Sequence, residues 1–344
     1  MNGHIADMTK SLAILTQGES VASTRFRILQ HLPVINRHGF NPVLLHAKHS
    51  AYPPPPGNSR SKWFLSALYD SYQRTLRANR SDICILQREL ISTLFTFETL
   101  IKIPILLDVD DAIFFGSRFH AAKRLAKCAS VTICGNNFLA DYFTQYSDVA
   151  IIPTAVDDKH FVPCTTDQNS QVIIGWSGAS SGFKYLYSIE EALNTILVRN
   201  PDVILMIIAD IPPNFSLISS KRVTYKKWSF ESEVSDLQQF TIGIMPLTDG
   251  LYERGKCSFK MLTYMAIGIP VVVSTVGMNI EVLAMGDCGY GAKTNDEWVD
   301  ALQSLIGDES SASQKGKVGR KIIENNYSTK IIGEKLVSII NNIG

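Results

Sequence analysis

The chain has 344 residues, 45% of them hydrophobic and 19% charged, with a formal net charge of +1. That length is more than one hydrophobic core usually holds, so two domains are expected. The near-neutral balance gives no reason to expect nucleic acid as a partner. No apolar run reaches the about 18 residues that cross a bilayer, and Ser11–Leu15 is too short for a secretory core. Six scattered cysteines, at 84, 128, 134, 164, 257 and 288, lack CxxC spacing and read as reduced thiols rather than a metal site. These features predict a cytoplasmic protein.

In chain order, Leu12–Thr16 predicts a first strand, followed by a small turn at Gly18, Glu19 and Ser20 and a helix from Arg25 through Leu32 and beyond. Pro42–His46 predicts a second strand. The breaker cluster Ala51–Asn58 predicts a loop. Residues 61–78 predict a helix in which Trp63, Leu65, Leu68, Tyr72 and Leu76 interleave with Lys62, Arg74 and Arg77. Further strands are expected at Asp82–Gln87, Pro104–Asp108, Val131–Cys134 and Ala150–Pro153. Residues 154–171 lose periodicity and predict a linker. A second series follows, with strands at Val172–Trp176, Val203–Ala209, Val223–Tyr225 and Ile242–Met245 and helices around Ser188–Val198 and Glu231–Phe240. Ser258 is expected to cap a short helix with its hydroxyl and Gly268 to end it, before a buried strand Val271–Val273 that starts at Pro270. Asp308–Lys315 reads as a polar break, and Ser328 as the cap of a final helix. Alternating strands and helices imply an α/β protein with parallel sheets, drawn as two Rossmann-like halves facing across a cleft.

Several residues could carry chemistry. Lys256 precedes the 258–268 helix and Lys260 lies in its first turn, an arrangement that suits phosphate, although the segment is equally an ordinary helix–strand unit. Lys184 follows the glycine-containing turn Gly178–Gly182, a candidate backbone cradle, or is simply a solvated helix lysine. Gly175, Gly178 and Gly182 do not form GxGxxG, which weakens a dehydrogenase reading. Gly18 follows the first strand, where open α/β sheets bind ligands. Arg25 and Arg27 could bind an acidic or phosphorylated acceptor, or form surface ion pairs. Asp108, Asp110 and Asp111 could bind a metal, act as acid or base, or cap the next helix. The basic, aromatic stretch 60–80 could rest on an anionic membrane, or be an ordinary half-buried helix.

The run Gly255-Lys-Cys-Ser-Phe-Lys-Met-Leu-Thr-Tyr-Met-Ala-Ile-Gly-Ile-Pro-Val-Val-Val-Ser274 resembles the donor-binding signature of family 4 glycosyltransferases, which have the GT-B fold. Ser23–Arg27 with His31–Pro33, Leu86–Glu89, Asp108–Ile113, Ile152–Asp157 and Ile174–Gly178 resemble other segments of that family, in order, over about residues 11–342. The resemblance implies retaining sugar transfer from a nucleotide-sugar donor to a glycan, lipid-linked or small-molecule acceptor, in surface polysaccharide or glycoconjugate biosynthesis. It implies no catalytic metal and no cofactor, the nucleotide sugar being a substrate. It also implies an acceptor-binding domain over 1–153, a linker over 154–171, a donor-binding domain over 172–327 and a helix over 328–344 that packs back on the first domain.

The implied donor-binding residues are Gly18, Ser177, Gly178, Lys184, Trp228, Ser229, Phe230, Lys256, Cys257, Ser258, Phe259, Lys260 and Thr263. Trp228–Phe230 matches the place of the nucleobase, although both aromatics could equally be core. The implied acceptor-binding residues are Arg25 and Arg27, and the catalytic candidates are Asp110, Asp111, His120 and Glu253. The family carries two glutamates eight positions apart; Gly255 and Thr263 stand there instead, with Glu253 as a nearby substitute. That departure keeps two rivals open, a nucleotide-sugar epimerase of the same fold and a non-catalytic GT-B partner protein. Peripheral contact with the inner membrane face is compatible with stretch 60–80.

Overall fold

A computed structural model describes residues 10–19, 21–50, 53–92, 94–116, 119–164 and 171–343. Ser20 and part of the expected linker, positions 165–170, lie outside the described residues. The chain divides into two compact units. The first holds residues 1–155, 255–257 and 329–344, and the second holds 156–254 and 258–328.

The first unit is built on six parallel strands: β1 (Lys10–Thr16), β2 (Phe40–His46), β3 (Ile83–Gln87), β4 (Ile105–Val109), β5 (Val131–Cys134) and β6 (Asp148–Ile151), in the order β2-β1-β3-β4-β5-β6. β3 and β4 are buried at every position, as largely aliphatic strands should be in a sheet covered on both faces, and the burial includes Gln87 and Asp108. The order is flavodoxin-like rather than Rossmann, and its switch point lies between β1 and β3. The single helix expected after β1 is divided into Ala22–Arg27, a 3-10 turn at Leu29–His31 and Leu32–Arg37. Ile28, at φ −124° and ψ −67°, leaves the helical region, and Pro33 in the next first turn favours a fresh start. β6 begins two residues earlier than the expected Ala150.

The last helix, Thr329–Ile343, belongs to this unit and buries Ile332, Leu336, Val337 and Ile340 in a cluster with Leu12, Ile14 and Ile35. A Cβ at Gly333 would stand 3.3 Å from His31 Nδ1, so the helix lies close over that ring. His31 is 2% exposed. Burial, helped by the positive charge of Arg27, pushes its pKa down to about 3. A ring that stays neutral when folded but protonates near 6.5 when unfolded adds stability above that value. This contribution is lost as pH falls toward the folded pKa, by roughly 1.4 kcal/mol per pH unit. Urea unfolding at pH 7 and pH 5 should therefore show roughly 2 kcal/mol more acid loss in the wild type than in His31→Phe. Equal losses would remove His31 from the account.

The second unit has β7 (Ile173–Ser177), β8 (Ile204–Ala209), β9 (Val223–Lys227), β10 (Ile242–Met245), β11 (Val271–Ser274) and β12 (Gly289–Ala292), all parallel. The order β12-β11-β10-β7-β8-β9 is that of a Rossmann sheet, with its switch point between β7 and β10. The expected helix Glu231–Phe240 is shorter, Glu233–Leu237. The expected polar break at 308–315 is instead the start of a helix, Glu309–Ile322. Asp308 caps it by accepting from Ser311 N at 2.9 Å, and its buried face holds Ala312, Lys315, Gly316 and Gly319, with Ile322 at the far end, so a hydrophobicity pattern registers little over its first three turns. No helix of the described residues is long and apolar enough to cross a membrane.

Candidate functional site

At the switch point of the second unit, β7 ends at Ser177 and turns through Gly178–Gly182 into a short helix, Phe183–Tyr187. The turn is pinned at three places. Ser177 N donates to the Tyr264 hydroxyl at 2.9 Å, and Gly178 N donates to the Ile208 carbonyl at 3.0 Å. Ser180 donates through N and Oγ to the Asp210 carboxylate at 2.6 and 2.8 Å, which holds that carboxyl below its usual range.

Lys260, the second residue of helix Phe259–Ala266, crosses this turn. A Cβ at Gly178 would lie 2.5 Å from Lys260 Cε and 3.0 Å from Nζ, so only glycine leaves the lysine its path. The ammonium stands 5.4 Å from the centroid of the Trp176 ring, a cation–π distance. The fold thus brings a cation to the carboxyl end of the central strand, where open α/β sheets bind ligands.

Lys184 and Glu253 come together beside the same turn. Lys184 Nζ is 3.5 Å from Glu253 Oε1, and its side chain is 64% exposed. Tyr185 donates its hydroxyl to the same oxygen at 2.6 Å. Burial alone would raise the Glu253 carboxyl; the Tyr185 hydrogen bond and the Lys184 charge outweigh it and hold the group below its ordinary value. Trp228 and Phe230, which could have been core, are 38% and 54% exposed. Trp228 Nε1 donates to Glu233 at 3.3 Å, Phe230 stacks 6.4 Å from the His160 ring, and the Ser229 hydroxyl pairs with that of Ser232 at 2.9 Å.

Two expectations on this helix are corrected. Ser258 occupies the N-cap position but with φ +51°, and its hydroxyl makes no cap bond. It donates instead to Asn279 Oδ1 at 2.7 Å, and Asn279 in turn donates to the Ser274 carbonyl. Ser258 therefore ties the start of the helix to the end of β11. Thr263 is 5% exposed and donates its hydroxyl to the Lys260 carbonyl at 2.8 Å, so it is turned into its own helix rather than toward a ligand. Phe259 is half-buried at the helix start.

In the first unit, Gly18 follows β1 with φ +138°, and Arg25 holds its guanidinium 4.8 Å from the Phe26 ring centroid. Arg27, expected among the acceptor-binding residues, is instead 5% exposed. Its Nη2 contacts Asp108 at 2.5 Å and its Nη1 donates to the Ile152 carbonyl at 2.6 Å. Asp108 lies within β4, so it is neither a helix cap nor open to a metal. Asp110 keeps Oδ1 buried without a hydrogen-bond partner among the described residues, while Asp111 stands 4.0 Å from Arg88 Nη1. His120 is exposed on helix Phe119–Cys128.

Residues 255–257 count with the first unit. A Cβ on Gly255 would lie 2.7 Å from Ala112 Cβ and 3.0 Å from Ala112 N. Lys256 accepts from Asn136 Nδ2 through its carbonyl at 3.1 Å. Cys257, expected at the donor, is buried; its thiol donates to the Asp110 carbonyl at 3.1 Å, and burial pushes its pKa up. The missing first glutamate therefore follows from packing, since position 255 has no room for a side chain. Gly255→Ala should cost about 1–3 kcal/mol by overpacking, read as a lower urea midpoint; unchanged stability would contradict the close approach.

Trp176, Tyr185, Asp210 and Tyr264 were not among the residues singled out from sequence. Tyr185 directly follows Lys184, but nothing local links it to Glu253, 68 positions away. Trp176 and Tyr264 are both fully buried, yet Tyr264 accepts from Ser177 N and Trp176 offers its ring to Lys260.

The chain is similar to known proteins in part of its sequence and in its fold. Residues 172–308 match the family model described as glycosyl transferases group 1. The chain is 24% identical over 224 residues to the Staphylococcus aureus capsular polysaccharide biosynthesis glycosyltransferase CapM, an alignment covering 64% of this chain and 57% of that protein. Among solved structures, a sucrose-phosphate synthase from Thermosynechococcus elongatus aligns with a TM-score of 0.71 at 14% identity, over 97% of this chain and 98% of that one. Anabaena HepE in complex with UDP and glucose aligns with a TM-score of 0.71 at 12% identity, over 97% and 100%. At these identities the structural likeness speaks for the fold, which is GT-B.

Proposed function

We propose, from a chain whose residues 172–308 match the family model of glycosyl transferases group 1 and whose fold is GT-B, a retaining glycosyltransferase that uses a nucleotide-sugar donor. The observation that carries this reading is Lys260 laid across Gly178 at the switch point of the second sheet. A pyrophosphate leaving group gains negative charge as its bond to the sugar breaks, and a fixed cation stabilises that charge. Lys260, the backbone N–H groups at the start of its helix and the nearby Lys184 suit that role. The Glu253 carboxylate, oriented by Tyr185, is suited to accept hydrogen bonds from sugar hydroxyls. The exposed rings of Trp228 and Phe230 offer a surface for the nucleobase.

In this reading the sugar C1–phosphate bond breaks while the acceptor oxygen bonds to C1 on the same face. The acceptor proton passes to the departing phosphate oxygen. No metal is required, and Arg25 of the first unit is suited to an acidic or phosphorylated acceptor. HepE, similar in fold, was solved with UDP and glucose, which favours a UDP-sugar donor here. CapM acts in capsular polysaccharide biosynthesis by its name, which favours a glycan or lipid-linked acceptor and a cytoplasmic step of surface polysaccharide assembly.

The test is product analysis with UDP-sugars and an acceptor panel. An α-linked product from an α-linked donor, with no change of donor when acceptor is omitted, is the expected result. Conversion of the donor alone would replace this reading with an epimerase. The packing at Gly255 and the inward hydroxyl of Thr263 favour a second reading, a non-catalytic partner protein; nucleotide binding without turnover on any acceptor would select it.

A further inference from the structure

At the switch point of the second sheet, β7 and β10 pair through Ile174 with Ile242 and Gly175 with Gly243. The paired glycines leave a slot in the face of the sheet. A Cβ on Gly175 would strike the Phe240 ring, and one on Gly243 would strike the Tyr264 ring. The two rings meet edge to face, 5.8 Å between centroids, and fill the slot. Tyr264 is thereby seated against the backbone of β10 and is fully buried. Its hydroxyl reaches past the β10 ladder to the end of β7. There it accepts from Ser177 N at 2.9 Å, in the place a strand carbonyl would otherwise hold. Burial pushes the Tyr264 pKa up, so the group is a neutral acceptor. Lys260 lies one turn earlier on the same helix, Phe259–Ala266, and crosses the next residue of the turn, Gly178.

We infer that Tyr264 is a positioning residue for the donor. Its hydroxyl ties the end of β7 to the helix that carries Lys260, and so sets where the Lys260 ammonium stands over the turn. One helix thus grips two successive residues, Ser177 through Tyr264 and Gly178 through Lys260. A phenylalanine would fill the slot equally well; what the tyrosine adds is the bond to the turn. Tyr264 is enclosed, so it acts through Lys260 rather than on a ligand. The inference rests on the donor reading given above and extends it to a residue that meets no substrate.

The test is Tyr264→Phe, which keeps the ring and removes the hydroxyl, set beside Lys260→Ala and the double variant. Calorimetric titration with UDP-glucose reads affinity, and amide hydrogen exchange reads the turn. Tyr264→Phe should weaken binding about tenfold, the effect of leaving one enclosed N–H without its acceptor. Exchange over residues 177–182 should quicken about tenfold, with β8 and β12 as in the wild type. In the Lys260→Ala background the same change should weaken binding little further, because its effect passes through the lysine. A residue of the core alone would lower the urea midpoint and leave the affinity of the folded protein where it was. Equal affinity of the wild type and Tyr264→Phe, or full additivity of the two losses, would overturn the inference and leave the donor site standing. A wild type that does not bind UDP-glucose would overturn the UDP-sugar reading itself, and this inference with it.

Discussion

Replacing Arg27 with methionine is expected to destabilise the first unit by about 3–5 kcal/mol. The guanidinium is 5% exposed and meets Asp108, which is 4% exposed, through two nitrogens. Burial pushes the Asp108 carboxyl up, and the Arg27 charge is what opposes it. Removing the cation alone leaves a carboxylate enclosed within β4 without its hydrogen-bonded partner, with only the weaker pull of Arg88 to oppose burial. The double variant Arg27→Met, Asp108→Leu should recover most of the loss, because apolar residues of similar size fill such sites without the cost of desolvating ions. Urea unfolding of the three proteins checks this. A single-variant loss below about 1 kcal/mol, the range of an exposed pair, would return Arg27 to the surface and to the acceptor.

Replacing Lys260 with alanine is expected to weaken nucleotide-sugar binding about 10- to 100-fold, the range for one charge-assisted hydrogen bond of about 1.5–3 kcal/mol. Gly178→Ala should act in the same direction, because its methyl group would take the space of Lys260 Cε. Calorimetric titration with UDP-glucose reads both. Unchanged affinity in Lys260→Ala would take the lysine out of the site.

The parallel α/β organisation was legible because segments such as Ile83–Leu86 and Val271–Val273 are unbroken apolar runs. Strand order was not, since it depends on which strands pair across long separations. The first sheet thus proved flavodoxin-like in order and the second Rossmann. The 309–322 helix is hard to see in sequence because its buried face over 312–319 is Ala312, Lys315, Gly316 and Gly319, which carry little hydrophobic signal. Lys260 and Lys184 stand out in the sequence near a helix start and a glycine turn, and the fold lays Lys260 across Gly178 and sets Lys184 beside Glu253. Arg27 was misjudged because sequence shows a charge but not its partner, and Asp108 lies 81 positions on. Thr263 and Ser258 were misjudged for the same reason: a hydroxyl has several acceptors within reach, and the backbone geometry decides among them. Helix 58–78 shows the reverse case. Its apolar residues have helical spacing, and only the fold reveals that Leu65 and Tyr69 face outward while Asp70 and Arg74 face in.

The central claim is that the switch point of the second sheet is a nucleotide-sugar site centred on Lys260. Thermal unfolding of the wild type and Lys260→Ala with UDP-, GDP-, ADP-, CMP- and dTDP-sugars tests it most directly. Ligand at about 100 times its dissociation constant adds roughly 2.7 kcal/mol, a rise of a few degrees for units of this size. The account predicts such a rise with one nucleotide class, UDP, and its loss in Lys260→Ala. No rise with any nucleotide sugar, or an equal rise in both proteins, would contradict it.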